Sequence, residues 1–503
     1  MLPIDAAAQG QKVVTAIGAT VRNSSPARPR ITYFSALGLF FLLSLPLINP
    51  WVRGDGVGYY AYVRAVLIDH NLHFDKDWLA ANSSFKDGRV DGAGRLLPEQ
   101  YSATGYVANH FAIGPSFLWA PFLIPVHVMV LVADRFGAHI PATGYSRPYL
   151  LTMAAATALY GFAALLLAFD LARRYFGERW AFLATVGIWF ASSLPVYMYF
   201  NPSWSHAHSA FAVALFLWYY QKTRQARTPK QWLALGLAAG LMIDMYYPNA
   251  IFLLVPAVEG LAQYFHHVTP ADYDTERWPT LLGRHMLFIA ATAVMLLPMF
   301  VTRLIIYGHA RESGYPPILS WNWGSPVLLR VLFSADHGML SWTPILVPAI
   351  LGLAVLWRRD PLFGGGLLLA LLAYYYFIAS YPDWDGISSF GNRFFVSLTP
   401  IFVIGLAATL DWLANRLQSS RRYLIAACAA TALLVVWNFG LIFQWGTQLI
   451  PARGPISWRT AAHNQYAVVP RRIAGSLEGY LLNRRAMMQH VESQDLDRLH
   501  SQQ

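Results

Sequence analysis

Apolar runs of about 20 residues recur along the chain, separated by short polar stretches. A helix needs about that length to cross the hydrocarbon layer, because lipid offers no partner to backbone N–H and C=O groups. The pattern predicts an all-α polytopic membrane protein of about 11 spans: 31–51, 149–172, 181–200, 206–220, 232–247, 249–265, 285–306, 340–357, 361–380, 394–412 and 422–444. The first run has no small-residue cleavage site after it and reads as a retained span rather than a signal peptide. A further apolar stretch, 112–134, holds Pro115, Pro121 and Pro125, which a straight helix tolerates badly.

Charge supplies the orientation. The net charge of +11 is carried by short basic clusters between the runs: Arg173, Arg174 and Arg179; Lys222, Arg224, Arg227 and Lys230; Arg358 and Arg359; Arg416, Arg421 and Arg422. Such clusters mark cytoplasmic loops, whereas a nucleic-acid footprint would be one basic face on a soluble module. The loops 52–111, 201–205, 307–339 and 381–393 then share the opposite face. Counting back from Arg173, the stretch 112–134 must dip and return or lie at the surface, so a re-entrant or juxtamembrane segment is expected. The same count divides the chain into a cytoplasmic tail (1–30), a transmembrane domain (31–445) with 52–111 as a large first periplasmic loop, and a basic C-terminal tail (446–503) on the periplasmic side. With 56% hydrophobic and 13% charged residues, composition agrees with the membrane class. The lone Cys428 lies in an apolar run and forms no internal disulfide.

Polar chemistry gathers on the predicted outer face. The loop 52–111 opens Gly54-Asp55-Gly56-Val57-Gly58-Tyr59-Tyr60, and Val57 to Ile68 reads as a helix with Tyr60, Val63 and Leu67 on one face and Arg64 opposite. Asp55 at its start is an N-cap or a carboxylate facing a lipid-linked head group, with flanking glycines that let a bulky ligand approach. Asp75 and Asp77 read as caps or solvated turn residues. Asn109 and His110 either touch a ligand or satisfy backbone. His206 and His208, spaced i, i+2 near a span junction, lack a third metal ligand nearby, which favours hydrogen bonding to phosphate or sugar. His337 and Trp342 sit in a turn entering a span. Asp383 and Asp385 form a weak candidate metal pair, and Arg393 beside Asn392 is placed to bind phosphate bidentately or to snorkel. Two intramembrane acids, Asp170 and Asp244, lend slight support to a transporter.

An early Gly54-Asp55 with Tyr59-Tyr60, then Ile113-Gly114-Pro115, Ser205-His206, Leu332-Phe333-Ser334 to Pro344, and Phe390-Gly391-Asn392-Arg393 resemble, in that order, the C-type glycosyltransferase superfamily (GT-C) over residues 31 to about 445. The closer likeness is to bacterial relatives of protein O-mannosyltransferases and aminoarabinose transferases. This implies a bacterial inner-membrane enzyme that moves a sugar from a polyprenyl phosphate to a periplasmic acceptor (lipid, glycan or protein). It also implies that the first-loop aspartate, here Asp55, acts on the acceptor; the mechanism expected from that placement is Asp55 as general base, with inversion. Tyr59, Tyr60, Asn109, His110, His206, His337, Trp342, Asn392 and Arg393 are the expected substrate contacts. The resemblance requires no certain cofactor, and a divalent metal stands without support, because no second acidic motif lies between 149 and 205. A lipid or polysaccharide flippase and an O-antigen-type polymerase are the alternative readings; nucleic acid is not an expected partner.

Overall fold

The computed structural model describes residues 32–265, 278–312, 314–418 and 420–502. The expected tail 1–30 lies outside them. The main helices are α1 (Tyr33–Ser44), α2 (Asp55–Arg64), α3 (Gly114–Arg135), α4 (Arg147–Arg173), α5 (Glu178–Phe190), α6 (His206–Lys222), α7 (Pro229–Met245), α8 (Leu254–Tyr264), α9 (Trp278–Tyr307), α10 (Leu346–Arg359), α11 (Pro361–Ser380), α12 (Thr399–Arg416), α13 (Arg421–Gly446), α14 (Trp458–Ala467), α15 (Val469–Leu482) and α16 (Arg484–Gln502). Among the described residues there is no strand, only isolated bridges such as Ser388 with Arg453. Six helical segments there are long and apolar enough to cross a membrane: Gly114–Arg135, Arg147–Arg173, Pro279–Tyr307, Pro361–Ser380, Arg393–Arg416 and Arg421–Gly446. Two places in the shorter expected spans are 3-10 or π turns, Tyr247–Leu253 and Val196–Phe200, whereas 206–220 lies in the continuous helix α6.

The bundle has two chemically distinct ends. At one, Arg173 and Arg174 clasp Asp170 at 2.7 Å each, Arg224 bridges Glu259 and Asp360 at 2.6 Å each, and Arg359 meets Asp411 at 3.2 Å. Asp170 is therefore a paired residue near a helix end and gives no support to a transport path. At the other end Ser44 meets the Tyr199 hydroxyl at 2.7 Å, and the loops carrying Asp55, Pro248 and Arg393 converge. The C-terminal helices fold back onto this second end, where Asp495 pairs with Arg53 at 2.5 Å and Glu492 accepts from Asn82 and Ser84.

Two expectations about local structure change. The proline-bearing stretch is one unbroken helix, α3. Pro121 and Pro125 stand four apart on its exposed face, so the lost donors fall on one side and the rest of the ladder survives. It starts and returns beside α2: Ser116 donates to the Tyr59 carbonyl at 3.4 Å, and the Tyr60 hydroxyl donates to the Gly144 carbonyl, beyond the far end of α3, at 2.6 Å. The helix α2 is not amphipathic in its surroundings, since every residue from Gly56 to Arg64 is buried. Its glycines admit protein rather than ligand. A Cβ at Gly56 would stand 1.9 Å from Ser203 Oγ, and one at Gly58 1.9 Å from Phe111 Cδ2.

Candidate functional site

Gly54, at φ +52°, turns the chain into α2 so that Asp55 occupies the first helical position rather than the cap. The Asp55 carboxylate accepts from Arg393 Nη1 at 2.6 Å across the Asp55 end of the bundle. Arg393, with 11% of its side chain exposed, lies on a shelf of aromatic rings with its guanidinium carbon 4.5 Å above Trp204, and its Nε makes no hydrogen bond. Trp204 is itself fixed by a hydrogen bond of 2.9 Å to the Arg53 carbonyl. Asp55 keeps 31% of its side chain exposed, which leaves the pair reachable.

Two cavities meet at this pair. The larger, about 1070 Å³, is walled by Tyr59, His206, Tyr246, Tyr247, Tyr315 and Trp321, with apolar Leu296, Met299 and Phe300 of α9 and Phe377 and Ile378 of α11. The smaller, about 540 Å³, is walled by Arg53, Arg89, Glu99, Gln100, Arg453 and Arg498. Asp55, His110, Phe111, Gly386, Ile387 and Arg393 border both. The floor of the larger cavity exists because α7 stops at Met245: Tyr246 is extended (φ −164°) and Pro248 opens a 3-10 turn, so the chain presents Tyr246 and Tyr247 inward.

Of the sequence candidates, Asp55, Tyr59, His110, His206 and Arg393 are gathered here, and Asp383 also lines the larger cavity. Burial lowers the His110 imidazole to about 4, so it is neutral at pH 7. The others point elsewhere. Tyr60 is sealed against Trp119 and Tyr145. Successive helical residues diverge by about 100°, so only one of two adjacent tyrosines reaches the cavity. Asn109 is spent on the backbone, donating to the Gly58 carbonyl at 3.0 Å and accepting from the Phe111 amide at 3.2 Å. Asn392 donates to the Trp384 carbonyl at 2.9 Å. His337 and Trp342 are fully buried beside each other, with the Trp342 indole donating to the Ala335 carbonyl at 3.1 Å. Asp383 and Asp385 do not form one pair: Asp385 lies with Asp336 and His337.

Some residues escaped the sequence reading. Arg303 of α9 donates to the carbonyls of Asn109 (3.0 Å) and His110 (2.8 Å) and to the Tyr247 hydroxyl, tying two walls of the larger cavity together. A lone arginine late in an apolar run is a signal that could have exposed it. Asp77, expected as a cap, is fully buried, bonded to Arg64 at 2.9 Å and to the Tyr145 hydroxyl at 2.6 Å. Burial raises its carboxyl to about 6 against the pull of Arg64.

A multi-pass helical membrane protein with this architecture shares its fold with the oligosaccharyltransferase of Archaeoglobus fulgidus solved with Zn and sulfate, at 17% identity and a TM-score of 0.51 over 84% of this chain. The expected all-α, multi-pass fold is thus borne out. The chain spans about three fifths of that protein's length, 59%. A second similar structure is ArnT of Cupriavidus metallidurans bound to undecaprenyl phosphate, at 14% identity and a TM-score of 0.45, covering 92% of this chain and 77% of that one. In sequence, residues 150–296 match the dolichyl-phosphate-mannose-protein mannosyltransferase family. No curated protein matches the chain in sequence.

Proposed function

We propose that the chain is a membrane glycosyltransferase that transfers a sugar from a polyprenyl-phosphate carrier to a hydroxyl acceptor, with Asp55 as general base. The observation that carries this reading is one reachable carboxylate at the junction of two cavities of different character. The larger, aromatic and apolar, suits a sugar and the first units of a prenyl chain. The smaller, arginine-rich, suits a polar acceptor. The donor assignment fits the match of residues 150–296 to the dolichyl-phosphate-mannose-protein mannosyltransferase family.

In the proposed step the acceptor hydroxyl gives its proton to Asp55 as its oxygen forms a bond to the anomeric carbon. The bond from that carbon to the phosphate oxygen breaks on the opposite face, giving inversion. Arg393 bonds Asp55 through Oδ2, which leaves Oδ1 for the hydroxyl. The guanidinium and the His206 ring are the proposed donors to the leaving phosphate, where charge grows in the transition state. Tyr59 and Trp321 offer faces for sugar or prenyl surface. The Asp55 end is taken to face away from the cytosol in a bacterial inner membrane. The eleven-span arrangement, with α3 as a juxtamembrane helix, keeps the four inter-span basic clusters at the opposite end, while the arginines of the smaller cavity stand at the Asp55 end.

The test is consumption of lipid-linked sugar in membranes holding the wild-type protein or Asp55→Asn. Turnover should fall by about 100-fold or more at equal protein level; full turnover in the variant would overturn the base assignment. Labelling of Ala93→Cys, at an exposed turn of the loop 52–111, in a Cys428→Ala background by an impermeant thiol reagent reads the sidedness. Labelling in intact spheroplasts is expected, and labelling only after lysis would reverse the orientation.

A further inference from the structure

Beside the cavity junction, two turns meet at a cluster of polar groups. The first, Ser334 to Trp342, carries Asp336 and His337; the second, Tyr381 to Arg393, carries Asp385. One ligand-type atom from each of Asp336, His337 and Asp385 lies within 4.8 Å of the other two. The His337 side chain is 0% exposed; neither ring nitrogen makes a hydrogen bond of full geometry, and the Asp385 backbone lies against the ring as a weak acceptor. Its Nδ1 stands 3.5 Å from Asp336 Oδ1, an oxygen that is likewise buried and without a hydrogen bond. Groups so poorly paired are costly in a protein interior, so a buried imidazole aimed at two carboxylates calls for a partner.

The backbone holds this geometry at a strain. His337 sits at φ +57° and Ile387, just past Asp385, at φ +59°, a region that a β-branched residue rarely adopts. Ser334 fixes the first turn, accepting from the Asp336 amide through Oγ at 3.0 Å and from the Gly338 amide through its carbonyl at 3.0 Å. Ser389 donates to the Asp385 carbonyl at 3.2 Å and to the Gly391 carbonyl at 2.8 Å in the second. An imidazole and two carboxylates are a donor set for a divalent transition ion.

We infer that Asp336, His337 and Asp385 form a binding site for a divalent transition cation of the Zn²⁺ or Mn²⁺ type, with water completing its shell. A buried nitrogen donor favours such an ion over Mg²⁺ or Ca²⁺, which take oxygen shells. The ion staples the turn 334–342 to the segment that supplies Gly386, Ile387 and Arg393 to the cavity junction. It is a positioning site, apart from Asp55, and stands whether or not the chain transfers sugar.

The test uses the full-length protein in detergent, stripped with a chelator and titrated with Co²⁺ alone. One Co²⁺ per chain with a visible d–d band is expected, displaced by Zn²⁺, together with a rise in melting temperature on binding. The band and the thermal shift should vanish in Asp385→Asn and in Asp336→Asn, and should persist in Asp383→Asn and Asp55→Asn. Two aspartate arms keep the test decisive if one variant fails to fold, and the wild-type titration needs neither. Absence of Co²⁺ binding by the wild type, survival of the band in a folded Asp385→Asn or Asp336→Asn protein, or its loss in Asp55→Asn would each overturn the site.

Discussion

Helix α2 carries a carboxylate–guanidinium pair at each end, and the two pairs differ in access rather than in chemistry. At its start Asp55 meets Arg393 at 2.6 Å with 31% of the carboxylate side chain exposed, between two cavities. Near its end Arg64 meets Asp77 at 2.9 Å and Asp69 at 2.6 Å, with the Arg64 and Asp77 side chains only 4% and 0% exposed. Arg64 also donates to the Thr143 carbonyl at 3.1 Å, tying the loop after α3 to α2. The sealed pair is a brace that holds the helix, whereas the open pair is something the helix presents. Burial without an open face gives a charge nothing to act upon.

That contrast yields graded expectations. Arg64→Ala leaves Asp77 buried without its cation and should destabilise the protein by about 3–5 kcal/mol, seen as a lower melting temperature in detergent and less folded protein. Arg393→Ala should lower turnover per folded molecule by about 100-fold, read as lipid-linked sugar consumption. Arg393→Lys should recover part of it, because an ammonium can bond Asp55 but cannot also stack on Trp204 as a planar fork. Equal losses of turnover and of folded protein in Arg393→Ala would make this pair a second brace. Gly58→Ala drives a methyl into Phe111 and should cost about 1–3 kcal/mol, with a raised KM as Phe111 shifts at the cavity junction.

The smallest effect is on pH dependence. Burial raises Asp77 from 3.8 to about 6, so its contribution to stability is full below 3.8 and is lost as pH rises through 6. His110 runs the other way: lowered from 6.5 to about 4, its contribution is present above 6.5 and is lost as pH falls through 4. The two slopes oppose each other in the wild type. Between pH 6.5 and 4, Asp77→Asn should lose melting temperature on acidification more steeply than the wild type, and His110→Gln less steeply. Parallel curves for all three proteins would contradict these assignments.

The difference between the two pairs also explains what could be read from sequence. Asp55 was legible because Gly-Asp-Gly interrupts the pattern just after the first apolar run, and Arg393 because it opens an apolar run. The helix after Asp55 was legible from its periodicity, but its burial on every side was not, since α3, the Ser203–Trp204 turn and the loop 109–111 come from elsewhere in the chain. Asp77 looked like a turn residue for the same reason: its partners, Arg64 and Tyr145, flank it in space but lie 13 and 68 positions away. Tyr60 and Asn109 were grouped with their true neighbours in sequence, yet one step along a helix or loop turns a side chain to another face. The larger cavity takes Arg303 and Tyr315 from far along the chain, and no local spacing announces such convergence.

The most direct measurement sets the two ends of α2 side by side. Asp55→Asn and Asp77→Asn proteins would be purified alike, with the folded fraction counted by size-exclusion chromatography and turnover expressed per folded molecule. The account predicts that Asp55→Asn keeps its folded fraction and loses about 100-fold or more in turnover, while Asp77→Asn loses folded protein and keeps the turnover of what remains. Undiminished turnover in Asp55→Asn, or a turnover loss confined to Asp77→Asn, would contradict it.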